Sequence, residues 1–347
     1  IRDRSVSRGL GDVYKRQFVI ILLVLYHALA PYCGGWDMPS YAQPNEGFYW
    51  GGKLAYSGML ETFVLISGYV FAFSLQKKVI SFRLLLAGKL KRLFVPCMCW
   101  GIIMTLIFFG PSKLLNLEHF WKIIGGYGHL WFLPMLFWCF LMEYGIQHCL
   151  KGRNLMLVLM IIAILPWPGI PFRFNQSLYY LLFFHLGGIF FRNRERLRTV
   201  NWSTICILSA VYMGLFIAVT LVLGMDGMRP ELASDLKVKV LILFVHHTLK
   251  MVSYGLVTII YVAVFIKLED RCNGKLYTVC RSIAMNSMGI YVMQEIVLRL
   301  IYYRMGGGIF VYQRVNSVGR LRGHFHRLLC IKCDYSRMQI HQISVLV

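Results

Sequence analysis

Residues 203–224 read Ser203-Thr-Ile-Cys-Ile-Leu-Ser-Ala-Val-Tyr-Met-Gly-Leu-Phe-Ile-Ala-Val-Thr-Leu-Val-Leu-Gly224, without one charged side chain. A helix that crosses the hydrocarbon layer needs about 20 mostly apolar residues, because each backbone N–H and C=O must be satisfied inside the segment. Reading outward from this stretch, comparable runs fall at 18–32, 54–75, 93–110, 129–149, 155–170, 178–191, 240–266 and 282–303. The whole chain agrees: 58% of its 347 residues are hydrophobic, 15% are charged, and the mean hydropathy is +0.60. A soluble chain of this length needs more polar surface. The expected fold is an all-α polytopic membrane protein with about nine visible transmembrane helices, ten in the native protein.

The formal net charge of +22 would fit a nucleic-acid binder only if the basic residues gathered on one solvated face. They are instead scattered through short loops between apolar runs, so no nucleic-acid partner is expected. Alternating the loops from a cytoplasmic N-terminus places 76–92, 146–154, 192–198 and 267–281 inside, with sixteen Lys and Arg. The opposite loops, 33–53, 111–128, 166–177 and 225–239, hold seven. The positive-inside rule favours this orientation. Trp36, Trp50, Trp121, Trp167 and Trp202 fall near the ends of spans, where interfacial aromatics belong.

The ten cysteines show no even framework of the secreted type, and several, among them Cys97, Cys99, Cys139 and Cys206, lie inside apolar runs. The one C-x-x-C spacing, Cys330 to Cys333, has no second pair. It falls in a segment, 309–347, that carries six Lys and Arg, three His and one Asp. That segment is expected to be frameshifted after Gly306-Gly307-Gly308, the alternative being a genuine basic tail. At the other end, Tyr14-Lys15-Arg16-Gln17 and Ile1-Arg2-Asp3 can both be read, in two frames, from one nucleotide string, TATAAGAGACAG. Residues 1–17 are therefore expected to be an adapter-derived scar rather than native protein. A membrane domain over 18–308 remains, without internal repeats or a soluble catalytic partner.

Ionisable side chains inside a bilayer are costly, about 2.5–3.5 kcal/mol for Asp, Lys or Arg at mid-span on insertion scales, so each asks for a reason. His27 closes the run Phe18-Val-Ile-Ile-Leu-Leu-Val-Leu-Tyr-His27. A neutral imidazole there can act as a general base on an incoming hydroxyl; the alternative is a core histidine bonded to a neighbouring helix. Glu61, in the second span, would orient His27, contact a sugar, or lie at the outer interface. His185, His246, His247 and Lys250 either line a cavity or bond helix to helix. The adjacent His246-His247 pair lacks the i, i+4 spacing of two ligands on one helical face, and no metal is expected. Lys89, Lys91 and Arg92 bring three cations to the inner mouth of a span that begins at Pro96. They would hold the phosphates of a soluble donor or serve as positive-inside anchors.

Several strings together make the chain similar to the acyltransferase-3 family of bacterial integral membrane O-acyltransferases, over about residues 18–305. They are Leu25-Tyr26-His27, Phe63-Val64-Leu65-Ile66-Ser67-Gly68, Lys91-Arg92-Leu93-Phe94-Val95-Pro96 and His129-Leu130-Trp131-Phe132-Leu133-Pro134, in this order. The resemblance implies a bacterial inner-membrane enzyme. It would move an acyl group, usually acetyl from cytoplasmic acetyl-CoA, to a hydroxyl of a surface polysaccharide or lipid-linked carbohydrate. Together with the intramembrane and loop residues above, it makes His27 and Glu61 the catalytic candidates, Arg92, Lys91 and Lys89 the donor-binding candidates, and Trp131, Gln294 and Ser67 the substrate-binding candidates. Membrane lipids surround it. A family Arg eleven residues before the histidine corresponds to Arg16, inside the expected scar. The family string Ser-x-x-Ile-Tyr-x-x-His reads Ser287-Met-Gly-Ile290-Tyr291-Val-Met-Gln294 here, with an amide in place of the last imidazole. The competing class is a polysaccharide or lipid transporter, which also lines a path with sparse polar groups.

The orientation is open to direct test. Single cysteines placed in 192–198 should resist an impermeant thiol reagent in intact cells, and those in 225–239 should react; reversed accessibility would contradict the topology.

Overall fold

The computed structural model describes residues 18–39, 41–77, 79–149, 154–269 and 286–303. The expected scar 1–17 with Arg16, the basic tail 309–347 with Cys330 and Cys333, and most of the basic loop 267–281 lie outside the described residues. Every regular element among the described residues is helical. In chain order they are α1 (Phe18–Leu29), α2 (Glu46–Tyr56), α3 (Met59–Lys77), α4 (Phe82–Lys89), α5 (Val95–Phe109), α6 (Leu117–Ile124) and α7 (Phe132–Cys149). Then follow α8 (Leu155–Ile164), α9 (Phe174–Arg192), α10 (Arg194–Arg198), α11 (Trp202–Leu223), α12 (Leu236–Glu269) and α13 (Ser287–Tyr303).

Five stretches among the described residues are long and apolar enough to cross a membrane: Glu46–Lys77, Phe82–Phe109, Gly128–Cys149, Trp202–Leu223 and Leu236–Lys267. Of the remaining expected spans, 178–191 lies in α9, which is 19 residues long but carries Asn175, Gln176, His185 and Arg192. Within the described residues α1 and α8 are short apolar helices, and α13, 17 residues long, carries Gln294, Glu295 and Arg299. The helices also extend beyond the apolar runs. The expected outer loop 33–53 already contains α2, and the expected inner loop 76–92 contains α4, which continues through a π-helical turn at Leu90–Phe94 into α5. Pro96 explains that turn. It has no N–H to give the carbonyl of Arg92, so the ladder widens and Val95 N–H reaches back to the Leu90 carbonyl.

The main core gathers α1, α3, α7, α9 and α13, with Val19, Ile20, Leu23, Val64, Ile66, Met135, Phe183, Phe184, Val292 and Ile296 packed together. At its centre α3 and α9 run backbone to backbone. A side chain at Gly68 would put its Cβ 1.9 Å from the Phe184 carbonyl oxygen, and one at Gly187 would put it 2.0 Å from that of Leu65. In lipid, where no hydrophobic force draws helix to helix, such small-residue contacts supply the packing that does. A second cluster joins α11 to α12 through Ile205, Tyr212, Phe216, Val257 and Ile260. The opposite flank of α11, with Ile207, Val211 and Ile217, and that of α5, with Ile102 and Leu106, are apolar and exposed, as surfaces meant for lipid must be.

Candidate functional site

α13 carries one polar face. Each of Tyr291, Gln294, Glu295, Arg299 and Tyr302 lies three or four residues from another of the set, which on a helix makes a single stripe. That stripe meets the last turn of α1 and the 3-10 turn Gly128–Trp131 that leads into α7. The Gln294 amide nitrogen lies 2.7 Å from His27 Nδ1. Donation to Nδ1 makes Nε2 the N–H of the neutral ring. His27 is buried and stacks on Trp36, with ring centres 5.6 Å apart and planes 20° from parallel. The Arg299 guanidinium carbon sits 4.9 Å from the centre of the same indole, so Arg299, Trp36 and His27 form a short ladder.

Glu295 is the hub. It is 1% exposed, receives Arg299 Nε at 2.6 Å on Oε1, and takes the backbone N–H of His129 at 3.1 Å on Oε2. The His129 ring also lies against it, with Nδ1 toward Oε2. Tyr291 donates its hydroxyl to the His129 carbonyl, and Tyr302 donates to that of Ala28. His129 and His27 stand edge to face, ring centres 6.0 Å apart. Both ring nitrogens of His129 are buried and neither makes a hydrogen bond of ordinary geometry among the described residues; Nδ1 lies against the Glu295 carboxylate, and Nε2 has no such neighbour.

The other expected site residues are distributed as follows. Glu61, in the first turn of α3, is buried and accepts a hydrogen bond of 3.1 Å from the Tyr179 hydroxyl; among the described residues the hydrogen-bond partner of the His27 ring is Gln294, not Glu61. Trp131 is half-buried beside Tyr180, centre to centre 6.1 Å, and Tyr179 and Tyr180 are themselves in edge contact at 4.9 Å. Glu61 and Trp131 thus flank one tyrosine pair on α9. Ser67 turns inward, its hydroxyl bonded to the Phe63 carbonyl at 2.9 Å. Lys91 and Arg92 are exposed on the π-helical turn, while the Lys89 ammonium lies 3.2 Å over the Phe140 ring.

Of the other intramembrane polar groups, His185 bonds helix to helix and His246 bonds to the 3-10 turn Asp226–Met228. His185 Nδ1 lies 3.0 and 3.1 Å from the two carboxylate oxygens of Glu143, and Gln147 donates to the same carboxylate at 2.8 Å. His246 Nε2 is 2.7 Å from the Met228 carbonyl. Among the described residues no group of three His, Cys, Asp or Glu is placed to hold a metal. Reading the sequence for apolar runs missed His129, Glu295 and Arg299. For Glu295 and Arg299 the signal was present: Glu and Arg at i and i+4 inside an otherwise apolar span, which is where membrane proteins keep ionisable groups they use.

The hub has a stability consequence. Arg299→Ala leaves the Glu295 carboxylate buried with one cation fewer; with the guanidinium 31% exposed, the loss should be near the lower end of the range for broken buried pairs, about 3 kcal/mol. Thermal unfolding in detergent should show it, with Arg299→Lys recovering part. An unchanged midpoint would mean that Arg299 does not compensate Glu295.

No curated protein and no solved structure matched the chain in comparison. Residues 16–318 match the family model described as an acyltransferase domain, that of acyltransferase-3, which takes in α1, the turn bearing His129 and all of α13. The chain is a membrane-embedded acyltransferase and belongs to the acyltransferase-3 family.

Proposed function

We propose that the protein is an O-acetyltransferase of a bacterial inner membrane, N-terminus in the cytoplasm, that moves acetyl from cytoplasmic acetyl-CoA to a hydroxyl of a surface polysaccharide or its lipid-linked precursor. The observation that carries this reading is the arrangement around His27: a buried imidazole, fixed at Nδ1 by Gln294 and at its face by Trp36, with a second imidazole opposite. Acyl transfer between two oxygen or sulfur atoms needs one proton removed from the attacking hydroxyl and charge stabilised on the carbonyl oxygen. Two fixed imidazoles at one place can supply both.

The donor binds through the cations of the inner loop. Arg92 and Lys91 are exposed there, and charge-assisted contacts to the phosphates of CoA suit a guanidinium and an ammonium. Lys89 joins them while its ammonium stays on the Phe140 ring. The acceptor sugar is received by Trp131 and Glu61 around Tyr179 and Tyr180, an indole face and a carboxylate being complementary to a pyranose ring and its hydroxyls. Ser67 and Gln294 act at one remove. The Ser67 hydroxyl serves the backbone of α3, and Gln294 orients His27.

The test is labelled acetyl transfer from acetyl-CoA to purified surface polysaccharide by the protein in proteoliposomes. His27→Ala should lower the rate about 10²–10⁴-fold, the usual loss when a proton-transfer or carbonyl-stabilising group is removed, while still inserting and remaining monodisperse in detergent. Undiminished transfer by a folded His27→Ala protein would remove His27 from the reaction.

A further inference from the structure

Two imidazoles face each other in the site, and they are held differently. The ring of His27 has an amide on Nδ1, which donates to it and leaves Nε2 carrying the proton. The ring of His129 has a carboxylate on Nδ1. A carboxylate fixes that nitrogen as the N–H, leaves Nε2 bare, and stabilises the imidazolium that forms when Nε2 takes a proton, as in any carboxylate-backed histidine base. Arg299 offsets the Glu295 charge, so the cluster does not need a protonated His129 for neutrality at rest. The bare Nε2 is buried and without a partner among the described residues, on a ring 6.0 Å from that of His27.

We propose that His129, backed by Glu295, is the group that takes the proton from the acceptor hydroxyl, while His27, backed by Gln294, donates its Nε2–H to the carbonyl oxygen of the thioester. This rests on the acetyl-transfer reading and divides its chemistry between the two rings. The hydroxyl proton passes to His129 Nε2 as the acceptor oxygen bonds to the acetyl carbon. The carbonyl oxygen gains negative charge against the His27 N–H. Collapse breaks the carbon–sulfur bond, the electron pair leaves on sulfur, and the proton held by His129 is returned to the CoA thiolate. The products are the acetyl ester and CoA thiol, and both rings return to their starting tautomers. The assignment differs from the sequence-based expectation of His27 as the base, because the partner on Nδ1 decides which ring can accept.

A latch that merely tied the 128–131 turn to α13 would use the same contacts, and a change of nucleophile separates the two roles. Hydroxylamine attacks thioesters without a general base and converts acetyl-CoA to acetohydroxamate and CoA thiol. In the full chain, His129→Gln should lose polysaccharide acetylation by about 10²-fold or more yet keep protein-dependent CoA release to hydroxylamine, above the uncatalysed rate, within about 3-fold of the unaltered protein. Glu295→Gln should repeat that pattern, whereas His27→Gln should lose both reactions. Retention of polysaccharide acetylation by His129→Gln, or equal loss of both reactions in it, would overturn the division of roles and leave the acetyl-transfer reading standing. Failure of the unaltered protein to raise acetyl-CoA consumption above the protein-free rate with either nucleophile would instead overturn the acetyl-transfer reading, and this proposal with it.

Discussion

A carboxylate that is 1% exposed in the middle of a membrane protein has to be compensated from every side, and the compensation of Glu295 organises the site. Its partners come from two places in the chain: Arg299 one turn further along α13, and both the backbone and the ring of His129 in the turn before α7. Removing a cation from such a cluster leaves a buried charge that costs several kcal/mol, so the contacts must form together or not at all. Once they form, α13 is locked in rotation about its axis. Gln294, the preceding residue on the stripe, then necessarily faces His27, and Tyr302 reaches the carbonyl of Ala28. Geometry at His27 follows from electrostatics one residue away.

The same locking gives the site its asymmetry. Aromatic stacking against Trp36 holds the plane of His27, and the amide of Gln294 sets its tautomer. The carboxylate sets that of His129. In the proposed reaction, two imidazoles held with opposite tautomers arrange donor and acceptor before substrate arrives, which is where electrostatic preorganisation has its effect on a rate. The close backbone contact of Gly68 with Gly187 and its neighbours serves a different end, since it fixes α9, whose Tyr179 and Tyr180 stand between Glu61 and Trp131.

Much of the fold was legible because spanning helices announce themselves by length and lack of charge, as Ser203–Gly224 does. The family strings also carried the class of activity, and His27 was visible as the ionisable end of an apolar run. Helix boundaries were less legible: α2 and α4 occupy stretches read as loops, because Trp50, Lys53, Arg83 and Lys89 make amphipathic rather than purely apolar helices. The site was legible only in part. Gln294 could be seen from its position in a string, but its contact with His27, 267 residues away in sequence, is a matter of tertiary packing. His129 stood in a quoted string and passed unnoticed because nothing local marks it; what marks it is Glu295, which pairs with it only in the folded chain. Ser67, by contrast, has a local partner, the carbonyl four residues earlier, and so ends as a helix-backbone group.

The measurement that bears most directly on this account is an experimental structure of the membrane-embedded protein with a non-hydrolysable acetyl-CoA analogue bound. The account predicts the analogue's carbonyl oxygen at hydrogen-bond distance, about 3 Å, from His27 Nε2, with the nucleotide phosphates at the inner loop. An analogue bound with its acetyl group away from the His27–His129 pair, in a structure that otherwise keeps the Glu295 cluster intact, would contradict it.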